Sequence, residues 1–300
     1  MVVKMLIIGS HVSFNNTSQL LGSVEAAIAN NANAFMFYTG APQNTQRGAL
    51  NDLVTYEALK KMKENNLSLD NVVCHAPYIV NLANNIDPEK YEFTKNFLRQ
   101  ELDRCEQLGV KKIVLHPGSA TKLDRETALN NIVKGLNAIL HEDDNIVILL
   151  ETMAGKGTEL GCSMEEIKYI LEGVILKDKV GVCLDTCHLS DSGVDISKFD
   201  EYLDLFDENI GIEKIGCVHL NDSKNPIGAR KDRHENIGFG TIGFETLINV
   251  AYNPRLENVP KILETPFVDR EYCPYKIEIQ EIKDKKMNNN LYEDVVSMYK

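Results

Sequence analysis

The stretch VHLNDSKNPIGARKDRH, Val218 to His234, carries three potential metal ligands on one short segment. His219 stands at the C-terminal tip of a β-rich run, Ile215 to Leu220, and Asp232 and His234 lie in the polar loop that follows. Lys224, Arg230, Lys231 and Arg233 stand beside them. Imidazole and carboxylate bind divalent cations, and guanidinium and ammonium groups bind phosphate oxygens, so the segment points to metal-assisted work on a phosphate ester. A lone histidine at a strand end is more often structural. The Asp-x-His that follows in the loop shifts the balance.

Five further β-rich runs end in the same chemistry. The third run of the chain ends in His75, the fourth in His116, the fifth in Glu151, the sixth in Asp185 and the eighth in Glu264. Burying that many polar groups side by side without a function is costly. His188 follows Asp185 by three in GVCLDTCH. With Asp232 and His234 the candidates number nine: five His, two Asp and two Glu. Zinc accepts histidine nitrogen and carboxylate oxygen. At three to four protein ligands per ion, this set fills two or three sites, and a bridging carboxylate holds two ions ~3.5–4 Å apart with a hydroxide between them. Mn²⁺ and Fe²⁺ suit the same atoms.

Short β-rich runs alternate with longer helical patterns through the whole chain. Strands are expected at 5–9, 34–38, 71–75, 112–116, 146–151, 180–185, 215–220 and 261–264. Helices are expected at 18–30, 51–66, 88–108, 125–140, 164–172, 197–209, 244–252 and from about Tyr275. Such alternation means a parallel sheet, and eight units in 300 residues favour a closed (β/α)₈ barrel over an open doubly wound sheet. In a barrel the strand tips meet at one face, where active sites lie. No Gly-x-Gly-x-x-Gly follows the first strand, so a dinucleotide fold has no support. The chain reads as one domain, 1–300, with a polar, weakly helical and peripheral tail from about Asn288.

No apolar run reaches the ~20 residues of a membrane helix, and the N-terminus reads as a buried strand rather than a signal peptide. Seven cysteines without paired spacing argue against a disulfide framework and fit a reducing cytoplasm. Cys183, like Cys74, reads as core packing, His141 as solvent-exposed, and His11 as either supporting the ligands or facing substrate. A net charge of −12 disfavours a nucleic-acid binder, but cations held by carboxylates would reverse the local potential. In HAPYIVNLA, Tyr78 and Ile79 either cap the core or wedge into a base stack. The polar loop TGAPQNTQRG after the second strand suits phosphate and base-edge contacts.

HAPYIVNLA from His75, GVCLDTCH from Gly181 and VHLNDSKNPIGARKDRH from Val218 resemble the endonuclease IV family of apurinic/apyrimidinic DNA endonucleases. GSHVS at the start and ILETP near the end also fit, and the resemblance spans about Met5 to Leu291. Pro77 stands where the family usually has serine. The resemblance implies a (β/α)₈ barrel holding three zinc ions. His75, His116 and Glu151 would hold one, with Glu151 bridging to a second held by Asp185, His219 and Glu264. His188, Asp232 and His234 would hold the third. Glu151, Asp185 and Glu264 would be the catalytic carboxylates. The implied reaction is attack of a metal-bound hydroxide on the phosphate 5′ to an abasic site in duplex DNA, giving 3′-hydroxyl and 5′-deoxyribose phosphate ends. Trimming of blocked 3′ ends would follow at the same site. DNA contacts fall to Tyr78, Ile79, Lys224, Arg230, Lys231 and Arg233. The family's minor-groove arginine is absent from the loop after the second strand, where Gln43 or Asn44 takes its place with Arg47 nearby. A monomer is the family default.

A sugar isomerase or epimerase of the same barrel superfamily shares Glu151, Asp185, His219 and Glu264, which hold one metal, but does not need His188, Asp232 and His234 together. A silent nucleic-acid-binding module is disfavoured because no ligand is missing.

Overall fold

A computed structural model describes residues 5–300. The first seven strands are β1 (Ile8–His11), β2 (Ala34–Phe37), β3 (Val72–His75), β4 (Lys112–Leu115), β5 (Val147–Glu151), β6 (Val180–Asp185) and β7 (Ile215–His219). A short antiparallel hairpin, β8 (Asp222–Ser223) with β9 (His234–Glu235), leaves the end of β7. β10 (Lys261–Leu263) then closes the ring between β7 and β1. All eight barrel strands run parallel and neighbours follow chain order, giving the expected closed (β/α)₈ barrel. β1 begins three residues later than the sequence pattern places it, because Ile8 is the first residue in register with Lys261; His11 thereby becomes its tip.

The outer helices are α1 (Gln19–Ala29), α2 (Asp52–Glu64), α3 (Pro88–Gln107), α4 (Arg125–Ile139) and α5 (Met164–Gly173), followed by α6 (Thr186–Ser192), α7 (Phe199–Asn209), α8 (Phe244–Ala251), α9 (Tyr275–Asp284) and α10 (Leu291–Met298). Their starts are written locally. Asn51, Asp87, Asp124 and Ser163 each accept a backbone N–H of the first turn, the standard cap of an otherwise unpaired helix end. α6 is an addition to the sequence pattern. Its seven residues show no apolar periodicity; it forms because Asp185 caps it and Gly193, at φ 114°, ends it. Among the described residues no helix is long and apolar enough to cross a membrane.

Two cores follow from the two faces of each strand. Ala34, Met36, Val73, Val114, Leu149, Cys183, Cys217 and Ile262 fill the barrel interior. Residues of the opposite parity, such as Phe35, Cys74, Ile148 and Val182, meet the helices in the larger outer core. Cys183 and Cys74 are thus packed in cores, as expected. Leu291 and Val295 of α10 are fully buried with Val268, in the loop that follows β10.

The loop after β2 is anchored by charge. Glu101 of α3, fully buried, accepts Thr39 Oγ1 at 2.7 Å and Arg47 Nε at 2.7 Å. Arg104 donates to the carbonyls of Gly48 (2.8 Å) and Thr39 (3.1 Å). Arg47 also lies over the Phe97 ring and donates to the carbonyls of Asn44 and Gln46, so its side chain is spent inside the loop, away from the surface. Removing one partner of a buried pair leaves the other charge uncompensated. Glu101→Ala is expected to cost about 3–5 kcal/mol in denaturant unfolding; a loss below about 1 kcal/mol would show that the pair does not hold the loop.

Candidate metal centre

Side chains alternate along a strand, so a residue two positions beyond an interior one points to the same side. Val73 leads to His75, Val114 to His116, Leu149 to Glu151, Cys183 to Asp185, Cys217 to His219 and Ile262 to Glu264. The interior layer therefore continues upward into a crown of polar groups at the C-terminal ends of the strands. Met36 leads in the same way to Tyr38, which sequence reasoning passes over; parity with Met36 is the signal that finds it. Its ring lies 5.0 Å from His75 and 5.2 Å from His11, which closes the crown at β1.

Glu151 is central. Its Oε2 lies 3.2 Å from His75 Nε2 and 3.1 Å from His116 Nε2, and its Oε1 lies 2.9 Å from His219 Nδ1. His219 Nδ1 is also 3.0 Å from Glu264 Oε2 and 3.9 Å from Asp185 Oδ2. His188 Nε2 lies 3.1 Å from Asp232 Oδ1, and His234 Nε2 lies 3.7 Å from both Asp232 Oδ1 and Asp185 Oδ2. In the crown, three groups of carboxylates and imidazoles have ligand atoms mutually within 4.8 Å: His75, His116 and Glu151; Glu151, Asp185, His219 and Glu264; and Asp185, His188 and His234. All nine candidates from the sequence thus converge, with Asp232 beside the third group.

Local structure explains how they are aimed. Asp185 ends β6 and caps α6, its Oδ1 accepting His188 N at 2.7 Å, so one residue joins the crown and turns His188 toward it. The β8–β9 hairpin pairs Ser223 with His234 and returns His234 to the end of β7. Asp222, fully buried, anchors the following turn by accepting the N–H groups of Gly238, Gly240 and Ile242. A Cβ on Gly240 would come within 2.4 Å of Asp222 Oδ1 and Ser223 O, so that approach requires glycine.

Behind the crown, His75 Nδ1 faces Ala76 O (2.7 Å), His188 Nδ1 faces Thr152 O (2.9 Å) and His234 Nδ1 faces Glu264 O (3.2 Å). With Nδ1 turned to those carbonyls the three rings aim Nε2 at the mouth, the atom that a neutral ring of that tautomer offers to a cation. His219 is reversed: Nδ1 faces the carboxylates, and its buried Nε2 points toward Cys183 and Cys217. Asn221, also unforeseen from sequence, donates to Asp185 Oδ2 at 2.8 Å and accepts Glu264 N at 2.8 Å.

Burial disfavours charge here, yet the charged forms prevail. Burial opposes protonation of His116, His188 and His219, but neighbouring charges hold all three above the ordinary histidine value. Glu151 does so for His116, Asp185 and Asp232 for His188, and Cys183 and Glu264 for His219. Burial pushes Glu151, Glu264 and Asp232 up, and the facing histidines outweigh it and bring each below the usual carboxylate range. The protein's own protons thus do what divalent cations do better. The donor set is imidazole and carboxylate, and His234 Nε2 is buried with no hydrogen-bond partner. Both features fit divalent cations at the mouth.

Around it, Tyr78 and Ile79 are 53% and 40% exposed on the turn after β3. Gln43 and Asn44 are exposed at the tip of the loop after β2. Lys224, Arg230, Lys231 and Arg233 are exposed on the loop between β8 and β9, with Lys224 Nζ 3.6 Å from Glu235. His141 is exposed, as expected.

Residues 24–284 match a family model described as a xylose isomerase-like TIM barrel. The chain is 51% identical over 290 residues to a protein of Acholeplasma laidlawii named "Probable endonuclease 4", covering 96% of this chain and 98% of that one. Among solved structures it is similar to endonuclease IV from Thermus thermophilus, with a TM-score of 0.77 and 31% identity over 92% of this chain and 97% of the other. A D-tagatose 3-epimerase-like protein is also similar, with a TM-score of 0.66 over 97% of this chain and all of the other, but at 21% identity the likeness is one of fold alone.

The raised histidines set a pH dependence. Groups whose folded pKa is raised contribute stability that is present below the unfolded value, about 6.5 for histidine, and lost as pH rises through the folded values. Chelator-treated protein is therefore expected to melt at lower temperature as pH rises above about 6.5, with Zn²⁺ restoring it. A melting temperature that climbs over that range without metal would contradict the electrostatic reading.

Proposed function

The chain belongs to the endonuclease IV family, and from that membership and the crown at the barrel mouth we propose that it is a DNA-repair endonuclease. It hydrolyses the phosphodiester bond 5′ to abasic sites in duplex DNA, leaving 3′-hydroxyl and 5′-deoxyribose phosphate ends, and trims blocked 3′ ends. The observation that carries the proposal is the convergence of nine His, Asp and Glu side chains at one barrel mouth. A single-metal isomerase-type site needs about four of them.

In this reading three Zn²⁺ ions bind per chain, with Mn²⁺ or Fe²⁺ suiting some sites. His75, His116 and Glu151 hold the first. Glu151, Asp185, His219 and Glu264 hold the second. His188, Asp232 and His234 hold the third. Bound there, the ions supply a nucleophile from water at neutral pH and neutralise the phosphate and leaving 3′ oxygens. Glu151, Asp185 and Glu264 are the catalytic carboxylates: they touch the reacting centre and set its charge. Asn221 and Thr152 orient the carboxylates and rings around them.

The other residues bring DNA to the crown. Lys224, Arg230, Lys231 and Arg233 meet phosphates, giving a local positive edge on a chain whose net charge is −12. Exposed Tyr78 and Ile79 wedge into the base stack beside the lesion. Gln43 and Asn44 enter from the neighbouring loop after β2, which Arg47 braces from inside. An abasic nucleotide has no base to unpair, so its extrusion into the mouth is cheap. The whole chain acts as one domain, as a monomer in the cytoplasm.

Incision of an oligonucleotide duplex with one abasic site tests the proposal, with and without chelator. The parent is expected to nick 5′ to the lesion, to stop with chelator and to recover with Zn²⁺. Glu151→Gln is expected to keep the fold and lower the rate by about 10³-fold or more, because it removes a charge from the centre of a water-poor site. Incision within about tenfold of the parent would remove Glu151 from the mechanism, and no incision by the parent would remove the function.

A further inference from the structure

α6 carries His188 and, three residues later, Asp191, whose side chain is fully buried. Asp191 Oδ2 accepts Asp232 N at 2.7 Å, Lys231 N at 3.2 Å and Asn225 Nδ2 at 3.2 Å, and Oδ1 accepts Ser223 Oγ at 2.7 Å. Its backbone carbonyl accepts Arg230 N at 2.9 Å, and that of Ser190 accepts Gly228 N at 2.9 Å. One carboxylate therefore clamps both feet of the basic loop, at Ser223 and Asn225 and at Lys231 and Asp232. Among the described residues no cationic side chain pairs with it, so the loop's own donors are what compensate the buried charge.

Those donors hold an unfavourable backbone. Arg230 and Asp232 both sit at φ 54°, a left-handed conformation that side chains other than glycine rarely adopt. Such conformations persist where the surroundings over-determine them. The left-handed turn at Asp232, with its N–H tied down, brings Asp232 Oδ1 to 3.1 Å from His188 Nε2.

We propose that Asp191 is the positioning residue of the third cation site, fixing Asp232 and the basic loop against the helix that supplies His188. This rests on the reading of His188, Asp232 and His234 as ligands of one ion. Asp191 touches neither substrate nor ion. It acts by holding two feet of a loop whose free conformation would carry Asp232 away. Loss of such an outer contact typically lowers metal affinity or activity about 10–100-fold.

The test is the metal content per chain of purified holoenzyme, alongside abasic-site incision and thermal melting, for the parent, His188→Ala, Asp191→Ala and Asp191→Asn. Asp191→Ala is expected to lose about one ion, the same ion as His188→Ala, to keep the rest, and to lower kcat about 10–100-fold. Asp191→Asn is expected to keep that ion, since its amide oxygen can accept the three donors now on Oδ2 while the Ser223 hydroxyl turns to accept. It should release the ion at a lower chelator concentration than the parent. A general stabilising role would lower the melting temperature without singling out one ion. Parent-like metal content and kcat in Asp191→Ala would overturn the proposal, as would loss of all ions together. Should that variant not fold, a chelator titration of Asp191→Asn indistinguishable from the parent's would overturn it instead. If His188→Ala itself keeps every ion, the reading of the third site fails, and that outcome is separate from failure of the clamp.

Discussion

Glu151, Asp185, Asp232 and Glu264 point into one barrel mouth, and their mutual repulsion is the constraint on which the rest of the structure depends. Like charges ~4 Å apart repel by about 4 kcal/mol at an effective dielectric near 20. No fold retains that arrangement without positive charge among the oxygens. Five histidines surround them, and neighbouring charges hold His116, His188 and His219 above the ordinary histidine value. Divalent ions would supply more charge per site, and the carbonyls behind His75, His188 and His234 already turn their Nε2 atoms toward the mouth.

The barrel makes the arrangement possible at low cost. Six of the nine groups need only the alternation of a strand and the common end of a parallel ring. The other three need more: a helix started by Asp185, a hairpin off β7, and a loop held in left-handed turns by Asp191. This division also separates the two chemistries considered from sequence. Only four of the strand-tip groups, Glu151, Asp185, His219 and Glu264, are those expected of a single-metal sugar isomerase, and the similarity to an epimerase-like protein is one of fold. Under the proposed function, the third group and the exposed basic residues between β8 and β9 are what phosphodiester chemistry would add.

The crown was legible because ligand type and position in the βα unit coincide: His75, His116, Glu151, Asp185, His219 and Glu264 each close a β-rich run. Period-two parity does not depend on where a strand formally ends, so a three-residue error in β1 left the site intact. Less legible were features set by tertiary contact. α6 has no apolar stripe, Asn221 and Thr152 are ordinary polar residues in sequence, and Asp191 is one acidic residue among many until the loop folds over it. Arg47 lies near Gln43 and Asn44 in sequence, and only the fold shows Glu101 of α3 claiming it. Tyr38 shares the parity of the crown but not its ligand chemistry, and so escaped a search for ligands.

If cations balance the crown, their number follows from its three ligand groups. Native mass spectrometry of the purified parent, before and after chelation, counts them directly. The expected result is three divalent ions per chain, removed by chelator. A single ion per chain in fully active protein would contradict the three-site centre and leave the third group without its role.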